Sequence, residues 1–181
     1  RNLGLMAAEA MYAKDDFKGA LAAYQAALAL GAERAGLASK LFDIYLRLQM
    51  YAELLEVSAQ PIPGVNSNLV ALARAEALLA LNRHGEVPAE AGKVAVGDAL
   101  YPRAAFAQAQ ALIKAGQLTN AVGPLEIAVK GLRNPPAPVS AYLALAECLQ
   151  AAGRAGDGVD YLDRAEKLAG DLPAAQRTNI L

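Results

Sequence analysis

The chain has 181 residues, 55% of them hydrophobic and 19% charged, and a net charge of −1. That hydrophobic share excludes a disordered chain. The lack of a basic block argues against a nucleic-acid partner, whose phosphates need a surface dense in lysine and arginine. Alanine makes up about a quarter of the residues, tryptophan is absent and Val, Ile and Thr are few, so the material suits helices and not strands.

Taken in chain order, the punctuation predicts ten helices and the start of an eleventh. The first runs from about Asn2 to Ala13. After a turn at Asp15 and Asp16, a second runs to about Leu30 and is stopped by Gly31. The third spans about Ala35 to Gln49. The fourth runs from Ala52 to Gln60 and ends before Pro61 and Pro63, which cannot continue a helix. Ser67 is placed to cap the fifth, which ends near Arg83. Pro88, Pro102 and Pro138 open the sixth, seventh and ninth at the first helical position, where a missing N–H costs nothing. Pro124 either sits in the first turn of the eighth helix or delays its start. The linker Asn134-Pro135-Pro136-Ala137 reads as a loop, because the pattern resumes in phase. Asp171 with Pro173 starts the eleventh helix.

A cassette underlies this order: a helix, a short polar turn, an apolar residue and a second helix. The apolar residue is Phe17, Tyr51, Val87, Leu118 and Ala155 in the five copies, at separations of 34, 36, 31 and 37. A period near 34 is that of a solenoid of helix pairs, in which each unit packs only on its neighbours. The copies fall at about 1–34, 35–68, 69–101, 102–136 and 137–172, with 173–181 beginning a further or capping helix.

The cassette resembles the tetratricopeptide repeat (TPR), a 34-residue helix pair in which a small residue on each helix lets the two cross closely. In the first copy the small pair is Ala8 and Ala20, with Met11, Tyr24 and Ala27 at flanking positions. In the fourth it is Ala109 and Ala121, and in the fifth Ala146 and Gly158. The second copy departs, with Phe42 and Leu54 at the pair. The third departs too, with Leu78 and Glu90, and calls for a shifted alignment. The family's helix-opening tryptophan is missing throughout. The resemblance implies an all-α, right-handed superhelix of stacked hairpins whose first helices line a concave groove.

Carried over by position, the groove is expected to hold Leu5, Glu9 and Tyr12, then Ser39, Asp43 and Arg47. It continues with Ala75, Leu79, Asn82 and Arg83, then Phe106, Gln110 and Lys114, then Leu143, Glu147 and Gln150. Each has a plainer reading. A Leu or Phe at helical spacing is more often core than anchor. Arg47, Arg83 and Lys114 sit in last turns, where a cation complements the helix dipole. Some TPR domains clamp the C-terminal carboxylate of heat-shock chaperones with a lysine and an asparagine on the first repeat. Here Leu5 and Glu9 face that position, and a carboxylate repels a carboxylate, so the clamp reading is rejected.

The search for chemistry returns little. His84, the one histidine, falls in an exposed turn, and Cys148, the one cysteine, reads as a small buried thiol. Together they cannot build a usual zinc site, and no metal or cofactor is expected. Asp15 and Asp16 read as a helix cap. GRAGDG at 153–158 follows a helix and not a strand, so it is a turn and not a phosphate cradle. The most apolar run, Leu69 to Leu81, is too short and too interrupted by Arg74 and Glu76 to span a membrane.

The functional expectation is a non-catalytic protein-interaction scaffold that takes a peptide or partner helix in the groove, with self-association a further option. The alternative is a regulatory or docking arm of a larger enzyme or assembly. The chain opens at Arg1 without a methionine and stops just after Pro173 begins a new pattern, which reads as a segment of a longer protein. Arginine outnumbers lysine, 10 to 7, and with the abundant alanine points to a high-GC bacterial source.

Overall fold

In a computed structural model, the structure describes residues 2–133 and 137–170. The linker 134–136 and the eleventh helix expected from Asp171 lie outside these residues. Among the described residues every regular element is a helix: α1 (Asn2–Ala13), α2 (Phe17–Ala29), α3 (Arg34–Arg47), α4 (Tyr51–Val57), α5 (Ser67–Ala80), α6 (Val87–Ala91), α7 (Tyr101–Lys114), α8 (Leu118–Gly131), α9 (Val139–Ala151) and α10 (Ala155–Gly170). Each packs on the helix that follows it, and α3 also meets α5, as α5 meets α7. The result is an α-solenoid of stacked helix hairpins, with three buried clusters running end to end from Ala8 to Leu149.

The hairpins turn by one repeated device. Two residues past the end of each odd-numbered helix the backbone enters the left-handed region, at Asp15 (φ 59°), Gln49 (58°), Asn82 (58°), Gly116 (74°) and Gly153 (75°). The next amide then donates to the carbonyl five residues back: Asp16 to Met11, Met50 to Tyr45, Arg83 to Leu78, Gln117 to Leu112 and Arg154 to Leu149, all at 2.8–2.9 Å. This closure satisfies carbonyls that the helix end leaves without partners. The left-handed residues recur at 34, 33, 34 and 37, a more even spacing than the apolar residues give. The third turn accounts for the difference: four of the turns have three residues between helices, whereas Leu81–Glu86 separate α5 from α6.

Small residues let the helices of a pair approach. Ala8 and Ala20 are fully buried in one cluster, as are Ala109 and Ala121 in another. A Cβ added at Gly158 would lie 3.3 Å from the Ala146 carbonyl oxygen and 3.4 Å from its Cα. In the third copy the cap register puts Ala75, also fully buried, in the place of Ala8. Ala91 of α6 shares its cluster. The pair expected there, Leu78 and Glu90, divides: Leu78 is core, while Glu90 is bound to Arg74 and Lys93. In the second copy Phe42 and Leu54 are both buried, so bulk replaces close approach.

Several boundaries differ from the sequence reading, each for a physical reason. The fourth helix stops at Val57, before the prolines, because the Ser58 hydroxyl turns back to the Leu54 carbonyl at 2.6 Å and Arg74 donates to the Leu55 carbonyl at 3.1 Å. The Ala59 amide, which another helical turn would have bonded to the Leu55 carbonyl, donates to the Glu56 carbonyl instead at 3.1 Å, and Arg74 takes the Leu55 carbonyl. Asn66, not Ser67, caps α5, its side chain accepting from the Asn68 amide at 2.9 Å. Pro138 is the flanking residue of α9, in extended geometry, and is not its first helical residue. Pro124 neither opens nor delays α8 but sits inside it. An interior proline costs about 3 kcal/mol. Burial of Ala121, Val122, Leu125, Ala128 and Val129 between α7 and α9 outweighs that cost.

Two consequences can be measured. Gly158→Val puts two γ-carbons where even a Cβ is tight against Ala146, and should lower stability by about 1–3 kcal/mol in urea unfolding. Because α4 and α6 hold only 7 and 5 residues, few of their amides are flanked by helix on both sides. Hydrogen exchange should find residues 50–100 opening before α7–α10.

Candidate partner-binding face

The cap register shows which side chains share one side of the odd-numbered helices. Four residues before each helix end stand Glu9, Asp43, Glu76, Gln110 and Glu147. Four residues further back stand Leu5, Ser39, Leu72, Phe106 and Leu143. Leu5, Phe106 and Leu143 are half-buried, Ser39 is exposed and Leu72 is core. Each helix therefore repeats a polar group one turn from a mostly apolar one, a spacing that keeps both on one face.

The first three carboxylates tie neighbouring helices together. Glu9 on α1 bonds Lys40 of α3 and accepts from the Tyr24 hydroxyl at 2.8 Å. Lys40 first, and Tyr24 second, hold the Glu9 carboxyl below its usual range. The buried Tyr24 phenol is pushed well up, by burial and by its bond to Glu9. Asp43 on α3 accepts from the Tyr12 hydroxyl of α1 and from Arg47 Nε, both at 2.7 Å. The bond to Asp43 raises Tyr12. The Arg47 guanidinium also lies 4.8 Å over the Phe17 ring, which meets Tyr12 edge-on at 5.8 Å. Glu76 on α5 takes both arms of Arg103 on α7, one of them at 2.9 Å. Its carboxyl is nonetheless raised, because burial outweighs Arg103. A small recess of about 50 Å³ opens among Ser39, Phe42, Asp43, Glu76 and Arg103.

The structure places the remaining expected groove residues as follows. Gln110 is half-buried, and Lys114, Glu147 and Gln150 are exposed. Ala75 is core. Leu79 is half-buried, three residues beyond the position of Glu76. Asn82 is the left-handed residue of the third turn, and Arg83 bonds Glu86 with both arms, at 2.6 and 2.7 Å, across the longer turn. Sequence reasoning passed over Glu76, Arg103 and Lys40. The signal for Glu76 was available: aligning the copies on the residue able to turn left-handed, and not on the apolar residue after it, brings Glu76 into line with Glu9 and Asp43.

His84 departs from expectation. It is half-buried, and its Nδ1 is shielded from solvent without a hydrogen-bond partner among the described residues. His84 lies in the longer third turn, which an amide-to-carbonyl bond from Glu86 to Arg83 closes at 3.1 Å. Cys148 is buried, and burial pushes its thiol up. Gly153 lies in a turn and Gly158 against α9. Among the described residues no three His, Cys, Asp or Glu side chains are grouped to hold a metal ion, and no helix is long and apolar enough to cross a membrane.

Glu9 offers a pH-dependent test. A carboxyl held below its ordinary pKa contributes stability above that ordinary value and loses it as pH falls through the folded one. At pH 7 Glu9→Gln should cost about 0.5–1 kcal/mol, a modest figure because the pair is partly solvated. The gap from the parent should close below the usual glutamate range, as urea titrations at pH 7 and pH 3 would show.

No protein-family model and no curated protein matches the chain. Among solved structures it is similar to the crystal structure of MamA protein, with a TM-score of 0.71 at 16% identity over 96% of this chain and 96% of that one. A likeness of this extent at this identity shows the fold, a TPR-like helical repeat.

Proposed function

We propose that the protein is a non-catalytic interaction scaffold that receives a peptide segment or a helix of a partner protein along the side formed by α1, α3, α5, α7 and α9. The observation that carries this reading is the repeated pairing, helix after helix, of a polar group with an apolar one a turn away. A peptide laid across such a row meets a hydrogen-bonding group and an apolar contact at each step, which fixes its register. Glu9, Asp43 and Glu76 hold the first helices at set spacing through their cross-helix bonds, so the row is preorganised and little ordering is required on binding. The half-buried Leu5, Leu79, Phe106 and Leu143 are the apolar anchors of this reading. Tyr12, Arg47, Asn82, Arg83, Gln110, Lys114, Glu147 and Gln150 supply its polar edge.

The test uses peptides selected against the intact protein from a displayed library. Phe106→Ala should weaken the selected peptides at least tenfold, since truncating an aromatic anchor typically costs about 2 kcal/mol or more. Gln25→Ala, on α2, should leave affinity unchanged. Equal affinity for the parent and Phe106→Ala would remove the row from the binding face.

A further inference from the structure

Two of the even-numbered helices, α4 and α6, are short. Where α4 ends at Val57 the chain leaves helical geometry until α5 begins at Ser67, crossing through Pro61, Ile62 and Pro63. A cavity of about 290 Å³ opens between this crossing, α5 and α6. Its lining includes the apolar Ile62 and Val65 and the polar Ser58, Arg74, Glu90 and Lys93. The volume is close to the lower end of small-molecule pockets, roughly 300 Å³.

Its polar wall carries a cationic surplus. Arg74 and Lys93 share one carboxylate, that of Glu90, with Nε of Arg74 at 3.4 Å and Nζ of Lys93 at 2.9 Å from the same oxygen. The Arg74 and Glu90 side chains are only 23% and 13% exposed, so water screens them weakly. Arg74 spends Nη1 on the Leu55 carbonyl, at 3.1 Å, and on the Ser58 hydroxyl, at 3.2 Å. Its Nη2 has no hydrogen-bond acceptor among the described residues. Nη2 of Arg74 and the exposed Lys93 ammonium are two donors suited to one carboxylate, and Ile62 and Val65 in the same lining suit a short hydrocarbon chain.

We propose that this cavity binds an aliphatic carboxylate, its oxygens on Arg74 and Lys93 and its chain against Ile62 and Val65. The site is formed by the crossing after α4, α5 and the α6 region, and it shares no residue with the row proposed above for a peptide. The same group is carried by a free short-chain acid and by a peptide's apolar C-terminus, so both are offered as probes.

The experiment titrates the intact protein with hexanoate, hexanol, hexylamine and Gly-Gly-Leu, each followed by ¹H–¹⁵N shifts of Ser58, Val65 and Lys93. Saturable shifts with hexanoate or with the tripeptide, and not with hexanol or hexylamine, support the site. The tighter of the two probes identifies the source of the carboxylate. Lys93→Glu, at an exposed side chain, should keep the fold and weaken the binding probe at least tenfold. Equal binding of hexanol and hexanoate, no binding by either carboxylate, or undiminished binding to Lys93→Glu would each overturn the proposal.

Discussion

The structure depends on one backbone closure made five times: an amide donating to the carbonyl five residues back, over a residue in the left-handed region. This closure reverses the chain within three residues in four of the hairpins and after a longer turn in the third. In those four it sets where the second helix of the pair begins, and so which residues of the pair face each other. Glycine adopts that backbone freely, but Asp15, Gln49 and Asn82 do so against a steric cost of about 1 kcal/mol. Three such costs are tolerated because each turn is held from both sides by packed helices, and the hydrogen bond it completes would otherwise be missing.

Between the regular first and last pairs, the array changes its way of holding together. The outer pairs use small residues and long second helices. The second pair uses bulk, Phe42 against Leu54, and the third joins a core of small residues to a polar network. Arg74 illustrates the substitution. From the middle of α5 it reaches the end of α4 and caps the Leu55 carbonyl, which a longer helix would have satisfied internally, while Glu90 of α6 balances its charge. A half-buried arginine is expensive unless its bonds are met. Here the Leu55 carbonyl and the Ser58 hydroxyl at the early end of α4 take Nη1, Glu90 faces Nε, and the same early end adjoins the cavity.

Much of the organisation was legible in the chain. Alanine at 8, 20, 109 and 121, and glycine at 158, announced close helix pairs, because only small side chains permit that approach. Proline at 61 and 63 announced an early stop in the second pair, though Ser58 and Arg74 brought it forward by three residues. The register of the third pair was less legible. The apolar residue at 87 follows a turn three residues longer than its counterparts, and a pattern anchored on Val87 slips by that amount. The anchor that does not slip is a backbone conformation, which sequence signals only loosely: Asp, Gln, Asn and Gly fill the same role in different copies.

The sequence by itself determined the helical class, the repeat and the closely packed pairs, since these rest on periodicity and residue size, properties local to a few turns. Only the tertiary structure decided that Lys40 holds Glu9, that Arg103 holds Glu76 and that Pro124 can lie within a helix. Those outcomes depend on contacts between residues about thirty positions apart, or on burial strong enough to override a local penalty. Neither is written in the few residues around each position.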